Sequence, residues 1–168
     1  HEGATLDNGV IAANIKYSSQ YLTIALNQAL VGSGYNAETG YVRRTGYYQI
    51  NPSVQYKFFP NSSTIANHGP GLKMDFYFDP ELSLSLNDRE IQLIYNVEWM
   101  NRNMLSADLK ETFIKLRAPF DPTNTGGAQL ASGEEFHWYD AGVSFASDNR
   151  RLLNFIMTGR YGGYYNGT

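Results

Sequence analysis

Hydrophobic and polar residues alternate with a period of two along most of the chain, a pattern typical of β-strands with two unlike faces. The clearest alternation lies at 47–58, 71–86 and 89–99. Weaker alternation predicts further strands at 11–17, 22–27, 105–116, 139–145 and 153–160. The pattern therefore predicts an all-β, antiparallel fold of about eight strands, with 105–116 the least regular because Glu111 and Lys115 share the parity of Leu105.

Turn-forming residues separate these segments. Pro80 lacks an amide donor, so a bulge or break is expected there, and Asn87-Asp88 is expected to form the turn that follows. Residues 147–150 are expected to form a polar turn. The long connections are predicted at Gly32–Gly46, Asn61–Pro70 and Asp121–Gly133. Long connections are extracellular in bacterial barrels, yet strand counting places two of these three on opposite sides.

Strand length and aromatic content favour a membrane barrel. A soluble antiparallel sheet also alternates, so periodicity alone leaves both solvents open. Strands that cross a bilayer need ~9–11 residues, with aromatic residues near both interfaces. Aromatic residues cluster at the predicted strand ends, as at Tyr47-Tyr48 and Phe58-Phe59. In lipid an unpaired sheet edge is costly, so the strands are expected to form an antiparallel membrane β-barrel or an arc of a larger one.

The two parities then predict two environments. Residues on the apolar parity are expected to face lipid: Tyr48, Ile50, Val54, Tyr56, Leu72, Met74, Phe76, Leu93, Tyr95 and Val97. Residues on the polar parity are expected to face the barrel lumen: Gln49, Asn51, Ser53, Gln55, Lys73, Asp75, Gln92 and Asn96. Only Ile94 interrupts the polar parity of its strand.

Composition narrows the function classes. The 168 residues are one domain's length, and 14% aromatic residues with 17% charged residues exclude intrinsic disorder. A net charge of −3 gives no basic footprint for nucleic acid. The absence of cysteine from the sequence excludes disulfides, thiolate metal sites and cysteine nucleophiles. No run of residues reaches the ~18 apolar residues of a membrane helix.

The sequence offers no convincing catalytic, cofactor or metal residues. Asp75 and Asp79 are four apart on one strand, some 13 Å, which is too far for a pair of glycosidase carboxylates. Glu134 and Glu135 are adjacent and would point to opposite faces. A structural role opposite Lys57, Lys73 and Arg160 is expected instead. The histidines, His1, His68 and His137, lack ligand spacing.

One segment carries a family resemblance. Residues 34–44, GYNAETGYVRR, resemble the "FNPEVGFVRR"-like signature of a family of Gram-negative outer-membrane proteins, with Tyr for Phe at positions 35 and 41 and Ala for Pro at 37. The matching positions of this loop are Asn36, Gly40, Tyr41, Val42, Arg43 and Arg44. Further motifs from Gly69-Pro70 to Tyr164-Tyr165 follow in the family's order.

The resemblance implies a location and a role. In that family a family-nine-like carbohydrate-binding module precedes a C-terminal barrel domain of unknown function. Residues 1–168 would then be part of one barrel domain in the bacterial outer membrane, with the module outside this chain. The barrel would anchor or serve a glycan-binding or uptake module, with outer-membrane lipid, a glycan and other outer-membrane proteins as partners. The alternatives are a soluble carbohydrate-binding β-sandwich and a glycoside hydrolase fragment.

Overall fold

The computed structural model describes residues 8–36, 45–122, 125–126 and 129–165. These residues form one sheet of eight antiparallel strands whose spatial order follows the chain order. The strands are β1 (Val10–Ser18), β2 (Leu22–Val31), β3 (Tyr47–Tyr56), β4 (Ile65–Asp79), β5 (Ser85–Trp99), β6 (Met104–Lys115), β7 (Glu135–Ala146) and β8 (Ile156–Gly162). Each strand pairs only with its chain neighbours, so β1 and β8 are the two edges of a sheet that is not closed.

The predicted all-β class, strand number and antiparallel order are confirmed. The least regular predicted strand, 105–116, is β6. The β1–β2, β3–β4, β5–β6 and β7–β8 connections lie at one end of the sheet. The long β2–β3 and β6–β7 connections lie at the other end, together with the short β4–β5 turn. No helix long and apolar enough to cross a membrane occurs in the described ranges.

The predicted loop Asn61–Pro70 is wrong in its second half. Strand β4 already begins at Ile65 and continues through Gly69 and Pro70. A Cβ at Gly69 would clash with the Tyr56 carbonyl, so glycine permits close backbone approach here. The short connection that remains lies at the end opposite the β2–β3 and β6–β7 connections, which removes the conflict in strand counting.

The break predicted at Pro80 is confirmed, but the turn predicted at Asn87-Asp88 is wrong. Strand β4 ends at Asp79, and the chain turns through residues 80–84 with positive φ at Ser83 and Leu84. Both Asn87 and Asp88 lie within β5. Tyr77 pairs with Asp88 and Phe78 with Leu86, so Asn87 is the extra residue of a bulge and is buried.

The last strand begins later than predicted. The polar turn expected at 147–150 extends to Phe155, where Ser147 Oγ accepts from the Phe155 amide at 2.8 Å. Leu152 and Leu153 in this turn are exposed. Strand β8 then begins at Ile156 rather than at Leu153.

The described residues contain almost no apolar core. Only Val31, Leu116 and Phe136 are buried hydrophobic residues, and none of them is completely enclosed. All three lie at the end of the sheet that carries the long connections. Within the described ranges, no second layer covers either face of the sheet.

Candidate functional site: two unlike faces of one sheet

The strand register sorts the side chains onto two faces. Directly opposed residues of antiparallel strands point to the same face. Leu93 lies opposite Leu72 and Leu109, whereas Gln92 lies opposite Lys73 and Lys110. Continuing across the sheet, all ten residues predicted to face lipid lie on the face of Leu93, here called the apolar face. All eight residues predicted to face the lumen lie on the other, the polar face.

The apolar face is the more exposed of the two. Leu93 is 57% exposed, and Leu109, which lies between Asp108 and Lys110 in the sequence of β6, is 62% exposed. On the polar face Asp140 is only 8% exposed and Thr112 is also buried. Because a single layer has nothing packed on either side, this difference indicates that the sheet curls towards its polar face.

Two shallow depressions interrupt the apolar face. They have volumes of about 450 and 520 Å³ and share Leu93, Leu109 and Ala141 in their walls. Alternation of large leucines with small alanines forms these grooves.

Aromatic side chains form a band at each end of the sheet. On the apolar face at the end with the long connections, the Tyr48 and Phe78 rings are 6.3 Å apart. On the polar face at that end, the Tyr47 and Tyr77 rings are 5.4 Å apart, and Trp138 lies 5.1 Å from the Tyr165 ring. Burial within this cluster raises the pKa of Tyr165. At the other end, Phe58 stacks on His68, 5.4 Å between centroids. Further contacts at that end join Tyr21 to Phe59, Tyr56 to Phe58, His68 to Tyr95 and Trp99 to Phe145.

The distance between the two aromatic bands is of the same order as the thickness of a bilayer core. Along β3, Tyr48 and Tyr56 share the apolar face and are separated by eight residues. At ~3.3 Å per residue this is roughly 26 Å along the strand, or ~20 Å in height for a strand tilted by ~40°. The apolar band of an outer-membrane barrel is ~25 Å tall and has aromatic girdles at both interfaces.

An ionic cluster lies on the apolar face at the level of one aromatic band. Glu111 accepts from Arg89 and, at 2.7 Å, from His137 Nε2. The Arg89 guanidinium also lies 5.8 Å from the centre of the Phe113 ring. The cluster explains why Glu111 interrupts the parity of β6, because Glu111 contacts the Arg89 and His137 side chains from its two neighbouring strands. The irregularity at Glu111 is visible in the sequence, but its two contact partners are not, because they lie on other strands.

A network of five charged side chains spans four strands on the polar face. Lys110 on β6 lies 3.3 Å from Glu90 and 3.7 Å from Asp140. Arg160 on β8 pairs with Asp140 and with Asp108. Anions and cations alternate through this charge network, so nearby charges compensate each other. The sequence predicts that Lys57, Lys73 and Arg160 balance the carboxylates of Asp75, Asp79, Glu134 and Glu135. Of these three cations Arg160 is paired, but its partners are Asp108 and Asp140.

Amide side chains continue the polar face on the other strands. Asn14, Asn27 and Asn51 form a hydrogen-bonded row across β1, β2 and β3. Next to this row, Gln49 Nε2 donates to Asp75 at 2.8 Å and to Tyr77 Oη at 2.9 Å. Side-chain hydrogen bonds and ion pairs thus lie on both sides of the centre of the polar face.

The carboxylate pairs considered for catalysis are engaged in separate structural contacts. Asp75 is bound by Gln49, whereas Asp79 accepts from Arg117 at 2.9 Å. Glu135 pairs with Lys115 at 3.0 Å. His68 contacts Tyr95 Oη at 2.7 Å. Among the described residues no group of three or more His, Asp or Glu side chains is arranged to hold a metal ion.

The loop that carries the family resemblance is described only at its start. Asn36 is exposed. Its other matching positions, Gly40, Tyr41, Val42, Arg43 and Arg44, lie outside the described residues.

The chain was compared with family models, curated proteins and solved structures. No family model, curated protein or solved structure matches it. A function for this chain therefore has to be inferred from its two faces, its charge network and its ionic cluster.

Proposed function

We propose that this chain is an arc of a bacterial outer-membrane β-barrel, with its apolar face against lipid and its polar face lining a hydrated interior. The observation that carries the proposal is the continuous, exposed apolar face of a single-layered sheet. Leu93, Leu109 and Val143 are each more than half exposed on three adjacent strands. Apolar patches of this extent on a protein surface mark a membrane or a partner.

The positions of aromatic and charged side chains support lipid as that partner. Aromatic residues border the apolar face at both ends, at a spacing of the order of a bilayer core. The Arg89–Glu111–His137 cluster lies at the level of one aromatic band, where charged groups can reach water. A soluble β-sandwich would need a second layer over these rows, and the described residues form one sheet.

Hydrocarbon also explains why the edges need partners. All nine residues of β1 are exposed, and β8 is exposed over most of its length. An unpaired backbone group in lipid costs several kcal/mol. In the proposed barrel, further strands on each side of this arc pair with β1 and β8.

The proposed task of the barrel is to anchor or serve a glycan-binding module at the outer membrane. This part of the proposal rests on the resemblance of residues 34–44 to the outer-membrane family. A polar face without a paired catalytic site fits an anchoring or passage role better than hydrolysis. Its partners would be outer-membrane lipid, a glycan held by the module and other outer-membrane proteins.

Arginine substitutions on the two faces test the lipid assignment. Val54→Arg on the apolar face should lower the free energy of unfolding by ~2–4 kcal/mol in phospholipid vesicles, the cost of arginine near the bilayer midplane. Asn51→Arg, on the polar face of the same strand, should cost no more than about 1 kcal/mol, because it loses one exposed hydrogen bond from Asn27 and places the guanidinium beside Asp75. Equal costs at the two positions, or a folded monomer in buffer without detergent, would contradict the proposal.

A further inference from the structure

A small depression of about 190 Å³ lies at the centre of the polar face, between the amide row and the charge network. Its walls carry Ser53 and Gln55 from β3, Lys73 from β4, Asn96 from β5 and Ser106 from β6. Pockets for drug-sized ligands measure ~300–1,000 Å³. The depression is therefore of a size for one small molecule.

Most of the polar side chains around this depression are not used by the fold, although Thr23, which also lines it, contacts the Ser18 hydroxyl at 3.3 Å. Within the described ranges, the side chains of Ser53, Gln55, Lys73, Asn96 and Ser106 make no hydrogen bond or ion pair with other residues. They differ in this from the neighbouring Asn14–Asn27–Asn51 row and from the five members of the charge network, which are all paired. They offer one ammonium group, two amides and two hydroxyls to a ligand.

The carboxylates nearest to Lys73 are engaged elsewhere. Gln49 binds Asp75, Lys110 binds Glu90, and Arg160 binds Asp108. Lys73 is exposed and lines the depression, and its ammonium group has no acidic partner among the described residues. Among its described lining residues Lys73 carries the sole formal charge, and the depression is suited to an anion.

Two residues shape the floor of the depression. Ile94, which interrupts the polar parity of β5, lies between Gly71 and Asp108 in the register and lines the depression. A Cβ at Gly71 would lie 3.5 Å from the Val54 carbonyl oxygen and 3.8 Å from Gln55 Cγ, so a larger side chain there would occupy the space. Glycine keeps the depression open, and isoleucine gives it one apolar patch.

We infer that this depression binds a sugar acid of a single ring. The Lys73 ammonium pairs with the ligand carboxylate, as charge-assisted hydrogen bonds favour. The Gln55 and Asn96 amides donate to and accept from its hydroxyl groups, and Ile94 packs against the C–H face of the ring. This inference goes beyond the proposed barrel and is independent of what covers the apolar face.

Titration of the whole chain with glucuronate and with glucose tests the site. The readout is the NMR shift of the side-chain amides in detergent micelles. Glucuronate should bind saturably and about tenfold or more tightly than glucose, because hydrogen bonds to charged groups are the strong ones. Lys73→Met should abolish this preference, and Lys73→Arg should retain most of it.

Lys16→Met is the matched control. Lys16 also lies on the polar face, opposite Ala25, but on edge strand β1 and outside the depression. This substitution should leave glucuronate binding unchanged, whereas Gly71→Val should remove the binding of both sugars by filling the space.

Three results would overturn the inference: no saturable shift with glucuronate, an equal loss in Lys16→Met and Lys73→Met, or equal binding of inorganic phosphate and glucuronate. The last result would show that Lys73 attracts any anion without recognition of the ring. Because none of these variants alters Val54 or Asn51, failure here leaves the arginine test of the barrel unaffected.

Discussion

Arg160 on β8 donates to both carboxylate oxygens of Asp108 on β6, at 3.1 and 2.9 Å, across the intervening strand. The contact passes over Gly142 of β7. A Cβ at Gly142 would lie 2.5 Å from Asp108 Oδ1 and 2.7 Å from Arg160 Nη2. The absence of a side chain at this position therefore allows β6 and β8 to be joined on the polar face.

Gly142→Ala should separate Arg160 from Asp108 without unfolding the sheet, because both contacting atoms are ends of flexible side chains. The expected loss in the free energy of unfolding is about 0.5–1 kcal/mol, since the Arg160 side chain is partly exposed and solvent weakens its ion pair. Equilibrium unfolding in urea measures it. In an Asp108→Asn background the same substitution should cost less.

Gly159→Ala is the matched glycine control. No atom lies within 4 Å of a Cβ built at Gly159 on β8, so this substitution should not destabilise the protein. A loss equal to that of Gly142→Ala would show that backbone freedom, rather than the Arg160–Asp108 contact, explains the effect.

Much of the fold was predictable because one local rule, alternation, decides which residues become strands. The sequence predicts turns wrongly where pairing between strands outweighs the local amino-acid composition. Asn87 and Asp88 are typical turn residues, yet they pair across β5 because the chain has already turned at residues 80–84. Ile65–Pro70 was assigned to a loop for its polar and turn-forming residues, yet β5 offers it a full hydrogen-bonding partner.

The site was less predictable than the fold. Parity sorted Lys73 and Asp75 onto the polar face, but register alone determines which side chains meet across strands. Arg160 and Asp108 are 52 residues apart, and Arg89 and His137 approach Glu111 from two different strands. Glu111 and Ile94 both interrupt the alternation of their strands. In the structure, Glu111 contacts Arg89 and His137, and Ile94 lines the depression on the polar face.

Arg117 ties together three connections at one end of the sheet. Its guanidinium donates to the Gly46 carbonyl at 3.1 and 3.2 Å and to Asp79 Oδ2 at 2.9 Å. Arg117→Gln should loosen this end and raise the rate of chymotrypsin cleavage there about fivefold, which corresponds to an opening equilibrium changed by ~1 kcal/mol. Mass spectrometry of early fragments would locate the cleavage.

Arg102→Gln is the control for that experiment. Arg102 forms a single ion pair with Glu98, at 3.4 Å, in a turn at the opposite end of the sheet. Its substitution should leave the cleavage rate unchanged. Faster cleavage in both variants would indicate a general loss of stability instead of a local tie.

Glu111→Gln should cost more than an ordinary surface substitution. Glu111 is the shared acceptor of Arg89 and His137, and the buried Arg89 Nε has no hydrogen-bond partner among the described residues. Removal of the charge leaves a part-buried guanidinium without its anion, at an expected cost of about 1–3 kcal/mol. The midpoint of urea unfolding at constant slope measures the change.

Glu135→Gln serves as the comparison for Glu111→Gln. Glu135 pairs with Lys115 at 3.0 Å, but both side chains are exposed. Exposed pairs of this kind contribute ~0–1 kcal/mol, so the midpoint should hardly move. Similar losses in the two variants would show that Glu111 behaves as an ordinary surface carboxylate.

Asp148 in the β7–β8 turn should titrate at unusually low pH. Arg150 donates to its carboxylate from Nη2 at 2.9 Å and from Nε and the backbone amide at 3.0 Å. These hydrogen bonds lower the pKa of Asp148 from 3.8 to about 2. Because the folded-state pKa is the lower one, the ionised carboxylate stabilises the turn fully above about pH 4, and this stabilisation is lost as the pH falls through 2.

Carboxyl NMR shifts recorded from pH 1.5 to 6, with ~0.1 M salt to screen distant charges, would give the pKa of Asp148 directly. Arg150→Gln should return it towards 3.8, because the two guanidinium hydrogen bonds are lost. Arg151→Gln should lower the charge of the turn equally but leave the pKa nearly unchanged, since Arg151 acts on Asp148 only through a weak coulombic interaction. An equal rise in both variants would mean that net charge, and not the Arg150 hydrogen bonds, keeps Asp148 ionised.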